Sequence, residues 1–297
     1  MSIPPNDTAT APEAPVKTAE KGLAALLRRI RPDKAREATH APLDQQPLKT
    51  ANVNERFSDD DAERMAAPHA PECMMICCLD SRIQPSKALD YGPGKALEYR
   101  PISCVIPPAY KADPDLKSRM AFRRMKEIST IVLMCHSDCG GAQAALAMPA
   151  PDPESEDDLH TVASFVQRSG LDIPLLAKGF LAQEGGNIRR AGDRLAREIG
   201  VKSLQNLMGY KGATGYETIA DEVAVGALSV RLFYLDLEKR QLEMYDMKTG
   251  AWAHTIECDV LRLENGEGMQ PTPGLRPAVS LKKPYEILAQ QMKEGAA

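Results

Sequence analysis

The chain has 297 residues, a formal net charge of -4, a pI near 5.8 and 43% hydrophobic residues. That is enough apolar material for one large domain or two small ones with a real core, while mild acidity and 5% aromatics argue against nucleic acid or an anionic membrane as partner. No run approaches the roughly 18 apolar residues a membrane helix needs, and Met1 to Glu20 holds no apolar segment of signal-peptide length, so a cytoplasmic protein is expected.

In chain order, residues 1–50 read as a flexible N-terminal extension with one short helix. The first stretch is too rich in Pro, Ala and Thr to order itself. Lys21 to Arg31 then carries Leu23, Leu26, Leu27 and Ile30 at helical spacing and stops at Pro32. Asp59, Asp60 and Asp61 mark a solvated helix start. From Glu72 onward, short apolar runs alternate with helical patterns, the signature of an α/β fold with a mostly parallel sheet and crossover helices. Strands are expected at 73–79, 96–99 and 131–134, with a helix at 118–128 before the third. Gly140-Gly141 opens a helix through Ala147, the acidic stretch 150–158 reads as a surface loop, and helices follow at 159–168 and 187–210, the second interrupted near Gly200. A strand at 225–237 and another at 241–245 form an antiparallel edge hairpin across Glu238-Lys239-Arg240. Residues 263–297 read as a C-terminal tail, which leaves 51–262 as the working domain.

Two of the apolar strands run straight into chemistry. Met74-Met75-Ile76-Cys77 leads to Cys78-Leu79-Asp80-Ser81-Arg82, and Ile131-Val132-Leu133-Met134 leads to Cys135-His136-Ser137-Asp138-Cys139. A catalytic zinc needs three soft or borderline ligands and an open fourth position. Cys78, His136 and Cys139 can supply them, the His-x-x-Cys pair from one loop and Cys78 from a neighbouring strand. Asp80 and Arg82 lie two apart and can pair. Held in a bidentate pair, the carboxylate is kept off the metal and becomes a hydrogen-bond acceptor for a zinc-bound hydroxide. The seven cysteines are an odd number without disulfide-scaffold spacing; Cys73, Cys77, Cys104 and Cys258 are expected to pack as small hydrophobes, and Cys135 likewise.

Cys-x-Asp-Ser-Arg followed by His-x-x-Cys-Gly-Gly resembles the beta-class carbonic anhydrases. The likeness extends over roughly residues 50–250 and takes in Gly92-Pro93-Gly94 and Val201-Lys202-Ser203-Leu204-Gln205-Asn206-Leu207. The resemblance implies a Rossmann-like zinc domain in which Cys78, His136 and Cys139 hold Zn2+ and Asp80 and Arg82 form the catalytic dyad. It also implies a homodimer or an assembly of dimers. The reaction implied is reversible hydration of carbon dioxide to bicarbonate by zinc-hydroxide attack. Two thiolates cancel the charge of the metal, so activity is expected to favour alkaline pH, with His40, His69 and His160 as candidate proton shuttles.

Two stretches depart from the family. Arg100-Pro101-Ile102-Ser103-Cys104 stands where the family reads Arg-Asn-Ala-Gly-Asn, which puts bulkier Ile102 and Ser103 beside the substrate route and, at Pro101, removes an amide donor. Cys135 stands where Gly is usual before the His. The alternatives are a zinc-binding homologue acting on carbon disulfide or carbonyl sulfide, and a non-catalytic regulatory module. The spacing from Cys77 or Cys78 to Arg82 is too short for a cysteine-phosphatase loop.

Overall fold

Cys73–Cys77 (β1) and Thr130–His136 (β3) are apolar almost throughout, and every residue of β1 is buried. Strands of that composition suit the centre of a sheet covered on both faces. The computed structural model describes residues 58–254, and in it these strands lie side by side in a six-stranded sheet of order β2-β1-β3-β4-β5-β6. The other members are Ala96–Tyr99 (β2), Ser229–Asp236 (β4), Gln241–Asp246 (β5) and Ala251–His254 (β6). The first four strands are parallel; β5 and β6 return antiparallel at one edge. The expected helix at 21–31, both terminal extensions and Cys258 lie outside the described residues.

The helices are Asp59–Ala66 (α1), Pro85–Ala88 (α2), Pro114–Met125 (α3), Gly140–Ala147 (α4), Asp158–Gln167 (α5), Ile173–Gln183 (α6), Ile188–Met208 (α7) and Ile219–Ala224 (α8). The acidic start of α1 is capped by Ser58, whose hydroxyl accepts from the Asp61 amide at 3.1 Å. Around the sheet, α7 packs on β3 and against α4 and α6, while α5 packs on α4. None of the described helices is long and apolar enough to cross a membrane.

Several boundaries differ from the sequence expectation, each for a local reason. β1 stops at Cys77 rather than at residue 79, because from Cys78 onward the carbonyls turn toward a side chain rather than a neighbouring strand. β3 extends two residues past Met134, carried by its register with β4 through His136↔Leu235. The helix expected at 118–128 starts earlier: Asp113 caps it by accepting from the Leu116 amide at 2.9 Å, and Pro114 fills the first turn, where no amide donor is needed. Helices α6 and α8 were not expected, although both carry capping signals, Asp172 with Pro174 for α6 and the Thr218–Asp221 capping box for α8. β6 was also not expected. The strand expected from 225 begins only at Ser229.

Gly200 does not interrupt α7, which is continuous over 21 residues. It makes room instead. A Cβ at Gly200 would lie 2.8 Å from Cys135 Sγ and 3.3 Å from Leu232 Cδ1, so the helix rests on the sheet at this point because it carries no side chain there. Cys135 fills the gap as a packing residue; burial raises its pKa, and its thiol lies 3.4 Å from the Phe233 carbonyl. Gly200→Ala therefore introduces overpacking of about 1–3 kcal/mol, offset by about 1 kcal/mol of helix propensity. Denaturant unfolding of Gly200→Ala, Cys135→Ala and the double variant is expected to give a coupling of about 0.5–3 kcal/mol in favour of the double variant. Additive effects would show that the Cys135 sulfur does not set the helix–sheet distance.

Candidate metal centre

After β1 the chain moves to one side to build β2, and after β3 it moves to the other side to reach β4. The carboxyl ends of β1 and β3 therefore flank the point where the strand order reverses, the place where open α/β sheets leave a crevice for ligands. Cys77 pairs with Met134 in register. That register sets Cys78, the first residue beyond β1, close to the end of β3, where His136 is the last strand residue.

Each side chain is held by local structure. Arg100, immediately after β2, reaches under the loop that follows β1. Its guanidinium donates to the carbonyls of Cys78 at 3.0 Å, Asp80 at 2.6 Å and Ile83 at 3.0 Å. Those carbonyls have lost their strand partners, so the loop closes around a cation. After β3, the Ser137 amide donates to the Leu235 carbonyl at 3.0 Å and its hydroxyl accepts from the Leu237 amide at 2.8 Å. Asp138 then turns with φ 55° and delivers Cys139 to the N-cap of α4.

Cys78, His136 and Cys139 come together, all buried, with one potential donor atom of each within 4.8 Å of the others. The two sulfurs are 3.9 Å apart; two bonds of about 2.3 Å at a tetrahedral angle would place them about 3.8 Å apart. His136 Nδ1 lies 2.8 Å from the Ser137 carbonyl, which fixes the tautomer, while its Nε2 is buried without a hydrogen-bond partner. A buried ring nitrogen facing two thiols, with its other nitrogen tied to a carbonyl, is the donor arrangement of a thiolate–imidazole metal site. The donor set thus fits a soft or borderline divalent cation.

The three groups are coupled in their protonation. Cys139 as the neighbouring acceptor, together with burial, raises the Cys78 pKa; the Cys78 thiol, despite burial, helps hold Cys139 well below the ordinary thiol value. The pair thus tends to share one proton. Burial works against a charged His136, but Cys139, Asp80 and the Ser137 carbonyl outweigh it and raise its pKa. The other cysteines behave as packing groups: burial pushes both Cys73 and Cys77 up to about 12, and Cys104 well up.

Asp80 and Arg82 meet as expected. Asp80 Oδ1 accepts from the Arg82 amide and from Nε, both at 2.9 Å, and Oδ2 accepts from Nη2 at 2.6 Å. Oδ2 also lies 3.9 Å from His136 Nε2, on the side of the Cys/His/Cys cluster. Burial opposes ionisation of Asp80, yet the Arg82 donors outweigh it and hold the carboxyl below its usual range.

The sequence reading missed the groups behind this pair. Arg82 Nη1 also donates to Asp138 Oδ2 at 2.9 Å, and Nη2 to the Asp138 carbonyl at 3.0 Å. Asp138 is itself held by Gln143 Nε2 at 2.9 Å, and its amide donates to Asp193 Oδ1 at 2.6 Å. A carboxylate between the His and Cys of the motif was a signal available in the sequence; Gln143, Asp193 and Arg100 offered none. Of the proposed proton shuttles, His160 Nδ1 accepts from the Asp152 amide at 2.9 Å, the His69 ring stacks on Phe122, and His40 lies outside the described residues.

The departing segment, Pro101 to Cys104, lies directly against the cluster. The Ser103 amide donates to Cys78 Sγ at 3.2 Å, and Ser103 Oγ is 3.3 Å from Cys139 Sγ. Gly141 makes this possible, because a Cβ there would run into Ser103 Oγ and come within 2.6 Å of Ile102 Cγ2.

Comparison with known proteins gives the same family as the motifs. The sequence profile described as carbonic anhydrase matches residues 73–241. Beta carbonic anhydrase 5, chloroplastic, of Arabidopsis thaliana is 34% identical over 87 residues, and the mitochondrial beta carbonic anhydrase 6 of the same plant is 31% identical over 84. Each of those matches spans 29% of the relative's length and 29% or 28% of this chain. The solved structure of the beta-carbonic anhydrase CcaA aligns with a TM-score of 0.57 at 20% identity, covering 69% of this chain and 93% of that one. The chain is thus a divergent member of the beta-class carbonic anhydrase family.

The close approach at Gly141 is testable beside its neighbour, since a Cβ at Gly140 meets nothing within 4 Å. Gly141→Ala is expected to cost about 1–3 kcal/mol in denaturant unfolding, while Gly140→Ala is near neutral or gains a little from helix propensity. Equal effects at the two positions would rule out the tight contact with Ile102 and Ser103.

Proposed function

We propose that this protein is a zinc-dependent carbonate dehydratase, catalysing the reversible hydration of carbon dioxide to bicarbonate, with Cys78, His136 and Cys139 holding the zinc and Asp80 and Arg82 as the catalytic dyad. The observation that carries the reading is the locked Asp80–Arg82 pair beside the Cys/His/Cys cluster. Zinc would supply the Lewis acidity that makes water nucleophilic near neutral pH. The remaining work falls to the protein's own groups.

Arg82 engages both oxygens of Asp80, so the carboxylate is not free to swing onto the cluster as a further ligand. With its pKa lowered, Asp80 stays an acceptor. Its Oδ2 is the oxygen nearer the cluster, and there it can take a hydrogen bond from the attacking water and aim the water's lone pair at the carbon of the substrate. The Asp138 contacts keep Arg82 from following solvent, although its side chain is 48% exposed. Carbon dioxide is uncharged, so the hydration direction asks for no charged anchor. A homodimer or assembly of dimers and a cytoplasmic location complete the proposal, with neither nucleic acid nor membrane as partner.

The altered segment at 101–104, pressed against the cluster, favours a second reading in which the same centre acts on another linear molecule such as carbon disulfide or carbonyl sulfide, or serves a regulatory role. One experiment separates the readings: zinc content per chain and stopped-flow carbon dioxide hydration at alkaline pH, for wild type and Asp80→Asn. The expected result is one zinc in both proteins and hydration reduced by about 100-fold or more in the variant. Zinc with no hydration in wild type would move the protein to the second reading, and absence of zinc would overturn the ligand assignment.

A further inference from the structure

Ser103 and Cys104 are consecutive non-glycine residues in the left-handed region, with φ 55° and 60°. A side chain disfavours that backbone conformation and glycine does not, and residues held there against preference concentrate at functional sites. The chain that follows, Ile106 and Pro107, is held by α7 and by Tyr210 just after it. Ser203 Oγ accepts from the Ile106 amide at 3.0 Å, Asn206 Nδ2 donates to the Ile106 carbonyl at 2.7 Å, and the Tyr210 hydroxyl donates to the Pro107 carbonyl at 2.8 Å.

Glycine would fit the backbone at 103 with less strain, so what serine adds has to be sought in its hydroxyl. That hydroxyl is buried, and it lies 3.3 Å from Cys139 Sγ while the amide of the same residue donates to Cys78 Sγ at 3.2 Å. A cysteine that ligates a metal is a thiolate and has no proton to give, so with metal in place Ser103 Oγ must be the donor. One residue then gives a hydrogen bond to each of the two sulfurs. Gly141 clears the space for its side chain.

We propose that Ser103 is a positioning residue of the metal centre, whose hydroxyl and amide orient the Cys139 and Cys78 thiolates and draw electron density away from the metal they hold. The inference rests on the metal reading of Cys78, His136 and Cys139 given above. Its consequence is a centre whose two thiolates are already held in ligand position, so that it binds a soft divalent cation more firmly than the same three ligands would alone, even though each sulfur donates less charge.

The test uses the full chain as wild type, Ser103→Ala and Ser103→Gly, each loaded with cobalt(II) as a spectroscopic probe and, separately, with zinc. Both variants keep the amide donor to Cys78; Ser103→Ala removes the hydroxyl alone, and Ser103→Gly removes it and also frees the backbone at 103. The thiolate-to-cobalt charge-transfer band is expected to move to lower energy in both variants, because the Cys139 lone pairs lose a stabilising donor. Zinc affinity, measured by chelator competition, is expected to fall about tenfold. Ser103→Gly, which sheds the strained φ without restoring the hydroxyl, is expected to melt above Ser103→Ala when both are metal-free. A band position unchanged in both variants overturns the proposal; if Ser103→Ala does not fold, Ser103→Gly makes the comparison alone. Wild type that takes up neither metal would overturn the metal reading itself and this inference with it, an outcome distinct from an unchanged spectrum.

Discussion

The parallel pairing of β1 with β3 is the constraint on which the site depends. Parallel neighbours present their carboxyl ends on the same side, and here the chain leaves those ends in opposite directions, toward β2 and toward β4. That divergence opens the crevice. The Met74↔Ile131 to Cys77↔Met134 register then fixes the relative height of the two ligand-bearing loops. A slip of one residue would turn every side chain of one strand to the opposite face and send the thiol and the imidazole to different sides of the sheet. Both strands are buried among core residues on both faces, so hydrophobic alternation by itself does not select this register.

Charge is organised around the same point in a graded way. Arg82 sits between two carboxylates, Asp80, whose Oδ2 lies 3.9 Å from His136 Nε2, and Asp138. Asp138 is in turn fastened to α4 through Gln143 and to α7 through Asp193, and Gly192 leaves room for the Gln143 side chain to reach it, since a Cβ there would lie 2.8 Å from Gln143 Cγ. The orientation of Asp80 is thereby linked to helix packing, although the Asp80–Arg82 pair is partly open to solvent. A surface ion pair left to itself would contribute little to stability; here its value is directional, since it determines which oxygen of Asp80 faces the cluster.

Two departures from the family pattern are matched by small residues across the packing interface. Cys135 lies against Gly200, and Ile102 with Ser103 lies against Gly141. A larger group on one element is tolerated where its neighbour carries only hydrogen, because a close-packed interior has no spare volume to absorb it. Holding Ser103 and Cys104 at positive φ costs on the order of 1–3 kcal/mol each, and the next turn of chain is fastened by hydrogen bonds from Ser203, Asn206 and Tyr210 to Ile106 and Pro107.

The sequence by itself determined the fold class and the candidate centre. Two apolar runs ending in Cys78-Leu79-Asp80-Ser81-Arg82 and in His136-Ser137-Asp138-Cys139 pointed to the cluster and the Asp80–Arg82 pair, because ligand spacing and strand hydrophobicity are local properties of a sequence. Helices α6 and α8 were missed although their caps were visible, since short helices depend on the surface they cover more than on propensity. Only the tertiary structure decided the role of Arg100 beneath the loop, the second carboxylate on Arg82, the continuity of α7 through Gly200 and the place of Ser103 against both sulfurs. Each of these joins residues far apart in the chain. Their contacts follow from the order of strands and the path of crossovers, which no local pattern encodes.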